Sequence, residues 1–577
     1  MMTLDELLLL STRGADTVGD DWMSATTIRP LIFDDPAILW LERFGKAHGF
    51  EQDRPSYSFS EFIVKKGREF ELAFLANIAG EAITICNQAY EVRSSDKVRR
   101  TIEMMLAGKA VIYQPALWWA ESKLYGVPDF LIRSTWLKQH YPELAGEVDA
   151  DSVAPNLFSE EEPGHYIVLD VKFTTKLEET RKRVDMSSYS GQVRIYSYML
   201  GKLQGLMPNV GLIAARDHIY DPHPIIIESK TDSELDPDLA EIQKTFMDIV
   251  TNGETYTPWQ DEIVRVNLTS EDEKWHTAKK IIATERIEGK DPSLLYQIGQ
   301  GAKQALADLG YADLATLLAG DPEDIPLEEC RGIGAKKARQ IRAIIKAQKS
   351  GGPSLPADFA APQTRLKELF VDFEYFNNLN VDFEKEWPDL NGREMIFMIG
   401  FGWVERDSWR FKALVAGYET PVGEKELLDQ FASALNKIIG GQIDRDTCAI
   451  YHWTSPEVWQ LRKACERHSI DERSPLHSLP FVDLQKVLLE GPVGIPGALD
   501  FGLKEVAHAV GELDSQFKTE WPLELAEGLS AMVMGWRAYE DEQPLKTKEM
   551  ELLRLYLESD CRSLWKVLGW LRSLSHS

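Results

Sequence analysis

Two short runs, "VLDVKFTT" at 168–175 and "LFVDFEYF" at 369–376, constrain the fold more than any other part of the chain. Both are rich in Val, Leu, Phe and Tyr or Thr, the composition of buried strands. Yet each carries two charged side chains two residues apart, Asp170 with Lys172 and Asp372 with Glu374. Strand side chains alternate between faces, so each charged pair points one way and its apolar neighbours the other. Charge on such a strand is costly unless that face is wet, internally paired or holding a cation. Asp372 and Glu374 have no opposite charge between them, so a cation is the natural remedy there.

The length of 577 residues suggests roughly three or four domains as a soft prior. With 44% hydrophobic and 27% charged residues, the chain has the composition of a globular protein. From about 1 to 255, helical patterns such as "SEFIVKKGREFELAFLANIAG" alternate with short strands such as "AVIYQPALWW" and "NVGLIAA", the pattern of an α/β domain. An acidic, turn-rich piece at about 143–164 reads as a solvated insertion. From 256 to 350 the pattern is mostly helical, with two helix–turn–helix units built around small glycine turns, and 351–360 has the composition of a linker. From 361 to 577 strands and helices alternate again, which predicts a second α/β domain.

Net charge is −28, from 64 basic and 92 acidic residues, which counts against a protein that coats nucleic acid over its whole surface. Phosphate binding, where present, must be local. No apolar run approaches the roughly 18 residues of a spanning helix, so no membrane partner is expected. The start, "MMTLDELLLLS", has acids where a signal peptide carries positive charge and reads as a mature N-terminus. Five cysteines without CxxC spacing argue against a disulfide framework, a zinc site or a four-cysteine iron–sulfur cluster, and fit a cytoplasmic location. There is no Walker A motif, hence no ATPase engine.

Upstream of Asp170 and Lys172 lies "LYGVPDFLIR", with Pro128 before Asp129, and downstream lies "YSGQVRIYSYML", with Gln192 and Tyr196 one helical turn apart. In this order the residues resemble the RecB-like branch of the PD-(D/E)XK nucleases over roughly the first 250 residues. The resemblance implies a restriction-endonuclease-like α/β core. It also implies Asp129 and Asp170 as ligands of Mg²⁺ or Mn²⁺, Lys172 beside the reacting phosphate, and Gln192 and Tyr196 as supports from the adjacent helix. Relatives place a histidine before a helical glutamate; this chain has Phe70 before Glu71, a departure that leaves Glu71 as a metal-ligand candidate without a nitrogen partner.

The second strand is followed near the C-terminus by "RLYLESDCRSLWKVL", with Tyr556 and Asp560 one turn apart. DxE followed by YxxxD resembles the DEDD exonucleases of the RNase H-like fold, over roughly 365–577. The stretches "FVDLQKVL" and "DFGLKEVAHAVG" look like the intermediate strand and helix of bacterial YprB-like members. The resemblance implies two metal ions on four carboxylates, Tyr556 positioning water, and 3′-to-5′ trimming. Glu457, in the first turn of a helix after "CAIYHWTSP", is the candidate third carboxylate where relatives usually have Asp, and Asp483 is its rival. His452 lacks any metal-ligand spacing and reads as structural.

Between these regions, Gly332-Ile333-Gly334 resembles the hairpin of a helix-hairpin-helix module, whose backbone N–H groups approach a phosphate. Arg331, Lys336, Lys337, Arg339, Arg342, Lys346 and Lys349 follow without an intervening acid, and "QIGQGAKQAL" is a weaker copy with Gly299 and Gly301. Trp118-Trp119 ends a strand and reads as core, with stacking on single-stranded bases as the alternative. The expectation is thus an α/β multidomain nuclease with a PD-(D/E)XK site and a DEDDy-type site joined by a DNA-binding helical region. DNA is the favoured substrate and RNA stays open, as does any helicase, repair or defence partner. The first site is open to endo- or exonucleolytic action. Two alternatives stand beside this: one active site with the other a nucleic-acid clamp, or a non-enzymatic acidic scaffold.

Overall fold

The run around Asp170 becomes the fourth strand of a six-stranded sheet in the computed structural model of the chain. The described residues are all except 79–81, 175–187, 217–224, 229–236, 271, 384–393, 441–442, 522–527 and 575–577, so Thr175 lies outside them. The chain divides into two units: Met1–Gln52, Ile63–Ile282 and Asp382–Leu390 form the first, and Asp53–Phe62, Ala283–Val381 and Asn391–Ser577 the second. No helix among the described residues is long and apolar enough to cross a membrane.

In the first unit, β1 (Ala82–Thr84), β2 (Val111–Tyr113), β3 (Phe130–Arg133), β4 (Tyr166–Lys172), β5 (Val210–Ala215) and β6 (Ile225–Glu228) stand side by side in chain order. β4 pairs antiparallel with β3 and parallel with β5. Every residue from Tyr166 to Val171 is buried, as a central strand covered on both faces requires. Two helices frame the site: α1 (Phe59–Ile78), which carries Glu71, and α2 (Ser188–Gln204), which carries Gln192 and Tyr196. The stretch at 143–164 is not merely a solvated excursion. Leu144, Val148, Ala154, Leu157 and Phe158 are all buried, because apolar anchors spaced among its acids give it a core side. Trp118 is buried too, its indole N–H donating to the Val92 carbonyl.

The second unit takes in the helical region after Ala283. Here α3 (Gln300–Asp308) and α4 (Ala335–Ser350) share one hydrophobic core with the C-terminal sheet and helices, through Ile298, Leu306, Ile341 and Ile344 against Tyr451, Leu484 and Leu568. The glycine-rich piece after α4 is pinned as well, since Ser354 and Gly494 exchange backbone hydrogen bonds of 2.9 Å each.

The sheet of this unit contains β7 (Lys367–Phe376), β8 (Met395–Glu405), β9 (Ser408–Val415), β10 (Cys448–His452) and β11 (Phe481–Asp483), in the order β9-β8-β7-β10-β11. β7 lies centrally, antiparallel to β8 and parallel to β10. Its two faces meet different helices. Phe373 packs edge-on against Phe431 of α5 (Pro421–Ile439). The Asp372 face meets the C-terminal helix. Three further helices complete the surroundings: α6 (Pro456–Arg467), α7 (Leu503–Leu513) and α8 (Lys548–Leu574).

Gly400 on β8 stands opposite Asp372, so a side chain there would share its face. A Cβ at that point would lie 2.7 Å from Leu557 of α8, so the bare backbone lets the helix lie close over the strands. The buried stripe of α8 runs Met550, Leu553, Leu557, Asp560, Leu564, Val567 and Leu571, in steps of three and four. Asp560 is thus the one acid at a position where the helix otherwise buries apolar side chains.

Candidate active sites

In the first unit, Phe130 pairs with Leu169, and this register brings Asp129 beside Asp170. The Asp129 N–H donates to Asp170 Oδ1 at 3.3 Å, and the Val171 N–H donates to Asp129 Oδ2 at 2.7 Å. Lys172 Nζ lies 2.6 Å from Asp170 Oδ2 and forms a buried ion pair with it. Burial, followed by the charge of Asp170, raises the Asp129 carboxyl well above the usual range, and Lys172 offsets this only in part. Burial by itself would depress the Lys172 ammonium, but Asp170 and Asp129 together outweigh it and hold the ammonium above the ordinary lysine range.

Gln192 Nε2 donates to the Tyr196 hydroxyl at 3.0 Å. Burial and then the charge of Asp170 raise the Tyr196 phenol. A Cβ on Gly126 would meet the Tyr196 ring at 2.4 Å, so glycine in "LYGVPD" is what lets that ring approach.

Glu71 stands at the same place and is heavily engaged. It accepts from the Tyr113 hydroxyl at 2.7 Å, from Arg68 at 3.0 Å and from Gln114 Nε2 at 2.6 Å. The same Gln114 nitrogen reaches Asp129 Oδ1 at 3.2 Å, bridging two carboxylates that are 58 residues apart in sequence (129 minus 71). Phe70 is fully buried and packs on Phe173, so the position where relatives carry histidine belongs to the core here. Sequence reasoning missed Arg68, Tyr113 and Gln114. The only signal was a run of polar residues and a tyrosine at the end of a short strand, which is too common to single out.

In the second unit, Asp372 and Glu374 project from β7, with a register shift between Glu374 and Tyr375 that turns the strand just beyond them. Asp560 comes from α8 and stands beside Asp372, which feels its charge. Burial and then the charges of Asp560 and Glu457 raise both Asp372 and Glu374 well above the carboxylate range. Asp560 is pushed up to about 6 by burial, restrained by the Trp521 indole and the Lys504 ammonium. The Trp521 N–H donates to Asp560 Oδ1 at 2.6 Å. Burial and then the charge of Asp560, one turn along α8, raise the Tyr556 phenol, and Lys504, at the start of α7, stands 4.9 Å from the Tyr556 ring centre.

Glu457 is buried in the first turn of α6 and its charge is felt by Asp372, Glu374 and Tyr375. Its Oε2 lies 3.4 Å from His452 Nδ1, with neither atom in a hydrogen bond among the described residues. Asp483 has a different task. Its Oδ1 accepts from Lys486 N–H at 3.0 Å, capping a helix, and from Thr454 N–H at 3.2 Å. Thr454 has φ of 65°, a strained value for a β-branched residue, and it forms the turn that delivers Glu457. Trp521, Lys504 and Gly400 had no sequence signal; each matters through a fold-dependent neighbour.

Both sets consist of oxygen donors, which suit hard divalent cations. In the second site Oε2 of Glu457 is a buried carboxylate oxygen without a hydrogen bond among the described residues. Among the described residues no three His, Cys, Asp or Glu side chains already form a cage for an ion.

The two glycine turns are similar in build. Gly332 (φ 86°) precedes buried Ile333 and then Gly334, the cap of α4; Gln297 (φ 54°) precedes buried Ile298 and then Gly299, the cap of α3. Gly301 lies within the first turn of α3. Lys337 Nζ donates to the Gly332 carbonyl at 2.8 Å and reaches that of Gln297 at 3.4 Å, tying the turns together. Not all of the basic run is available. Arg342 pairs with Glu328, Lys346 with Glu323, and Lys349 bonds the Ala319 and Gly320 carbonyls. Arg331, Lys336 and Arg339 are exposed, without an ion pair among the described residues.

One family model, described as RNase_H superfamily, matches residues 381–572. The match begins beyond Asp372 and Glu374 and includes Glu457, Tyr556 and Asp560. It supports an RNase H-like domain in the C-terminal region and, with it, a nuclease type of function. No curated protein and no solved structure matches the chain.

Proposed function

We propose that the chain is a metal-dependent nuclease with two sites, one of PD-(D/E)XK type around Asp129, Asp170 and Lys172 and one of DEDDy type around Asp372, Glu374, Glu457 and Asp560. The observation that carries this reading is that acids 188 residues apart (560 minus 372) are brought together in a mostly buried pocket, where each feels the other's charge, which is costly unless the site is meant to hold positive charge. The first site supports it independently through Asp129, raised by burial and Asp170. A divalent cation in either place supplies water activation and neutralises charge on the phosphodiester.

The remaining roles belong to the chain. Lys172, kept protonated by two carboxylates, is a fixed cation beside a phosphoryl group bound at Asp170, where it stabilises charge that grows in the transition state. Gln192 orients Tyr196, and Tyr196 walls the acids from below. Glu71 is the third carboxylate of the first site and joins an ion by exchanging its Gln114 bond. In the second site Tyr556, one turn from Asp560 on α8, orients water by its hydroxyl. Gly332, Gly334, Lys336, Lys337 and Arg339 fit a phosphate-holding surface at the start of α4, and with it DNA as the favoured substrate over RNA. A 3′-to-5′ direction is proposed for the second site.

The test is a Mg²⁺ and Mn²⁺ titration on DNA labelled at either end, with the chain, Lys172→Ala and Asp372→Ala. Each substitution should remove one product pattern by at least 100-fold and leave the other. An absence of metal-dependent cleavage from the unaltered chain would leave a scaffold as the better reading. Loss of only one pattern would leave one site as a clamp.

A further inference from the structure

A cavity of about 570 Å³ opens beside the first site, and three of its walls are residues of that site: Glu71, Gln114 and Tyr196. We propose that this cavity is a nucleobase subsite, taking one unpaired base of a strand whose phosphodiester lies at Asp129 and Asp170. The proposal rests on the nuclease reading for the position of the phosphate, but the chemistry of the cavity stands by itself.

Three observations carry it. The volume falls in the range of pockets that enclose one small ligand. The walls combine Asn87, Gln88 and Thr26 with Ala25, Val92 and Val127. Amides and a hydroxyl set between apolar surfaces suit a flat, neutral ring with donors and acceptors along its edge. An anion is a poor fit, because the one cation in the lining, Arg68, is already held by Glu71. Finally, Asn87 is exposed and its side-chain amide makes no bond among the described residues, so it is free to read a base edge. A base whose pairing edge is in the cavity has given up its partner, so the first site acts on single strands, frayed ends or flaps.

The experiment uses the full chain carrying Asp372→Ala, which silences the second site. Binding is read by 2-aminopurine fluorescence of single-stranded oligonucleotides with Ca²⁺ in place of Mg²⁺, scanning an abasic position along the strand. Cleavage is read with Mn²⁺ on the same strand as single strand and as blunt duplex. The subsite predicts one abasic position that weakens binding at least tenfold, and single-strand cleavage at least tenfold faster than duplex cleavage. Ala89→Trp, which fills the cavity from an exposed wall, should remove the abasic effect and lower binding at least tenfold; Tyr90→Trp, exposed and outside the lining, should change neither. Mn²⁺ affinity measured by electron paramagnetic resonance should be the same in Ala89→Trp, which separates a blocked cavity from a misfolded site. Equal binding at every abasic position, with Ala89→Trp indistinguishable from its parent, would overturn the subsite even if cleavage is normal. Normal abasic and Ala89→Trp effects without any cleavage would leave the subsite standing and overturn the nuclease reading.

Discussion

Gln114 holds a left-handed backbone conformation (φ 52°), which a side chain other than glycine adopts at a cost of roughly 1 kcal/mol. What it gains is position: its N–H donates to the Asp129 carbonyl at 2.8 Å, and its amide then faces both Glu71 and Asp129. In metal-free protein that amide separates two carboxylates that repel each other. Replacing it by Leu should therefore cost about 1.5–3 kcal/mol at pH 8, the range for hydrogen bonds to charged groups. The cost should be smaller at a lower pH such as 5, because burial and then the charge of Asp170 raise the Asp129 carboxyl, and a protonated Asp129 is no longer a charged partner of the amide. Urea unfolding in EDTA at the two pH values checks this, and a cost equal at both would show that the bridge is unimportant. Nothing near Gln114 in the sequence announces such a role. Asp129, Asp170 and Lys172 were legible because motif order and strand alternation constrain them locally, whereas the amide is chosen only by the strand pairing that sets it between α1 and β3.

At the scale of elements, the second site depends on how closely α8 approaches the sheet. Gly400→Ala places a Cβ 2.7 Å from Leu557 Cδ2 and 2.9 Å from Leu557 Cβ, and the second of these atoms has no freedom to swing away. The helix must lift, at a cost of about 1–3 kcal/mol for overpacking. Because Asp560 lies three residues beyond Leu557 on the same stripe, metal-dependent activity of the second site should fall more than stability does. Combining Gly400→Ala with Leu557→Ala should cost less than the sum of the two changes, by at least 0.5 kcal/mol in a double-mutant cycle. Strict additivity would mean that the helix does not press on the strand at this point. The α8 stripe was readable from its spacing of three and four, and so was an acid intruding on it. Gly400 was not, since a glycine in a strand is a weak mark until its opposite residue is known.

For the molecule as a whole, the acid sets predict how pH and metal govern stability. Asp560 has its folded value at about 6 against 3.8 for the free group, and Asp372 and Glu374 are raised as well, by burial and then the charges of Asp560 and Glu457. Each holds its proton more tightly folded than unfolded, so the stability this contributes is fully present below the unfolded value and is lost as pH rises through the folded one. For Asp560 the loss falls between about pH 4 and 6 and is on the order of 2–3 kcal/mol. Metal-free protein should thus lose stability from this site on going from pH 4 to pH 7, and Mn²⁺ should restore it at pH 7 but hardly at pH 4. Thermal unfolding with EDTA or Mn²⁺ at both pH values decides; a melting temperature indifferent to Mn²⁺ at pH 7 would rule out ion binding by these carboxylates. The alternating strands, the amphipathic helices, the glycine turns and most of the acids were set by the order of residues alone, since periodicity and local backbone chemistry act within a few positions. Tertiary structure alone decided that α3 and α4 share a core with the C-terminal sheet, that Arg342, Lys346 and Lys349 are spent on internal partners, and that Asp483 braces Thr454. Those outcomes depend on which distant segments meet, and contact energies between such segments leave no periodic trace in either one.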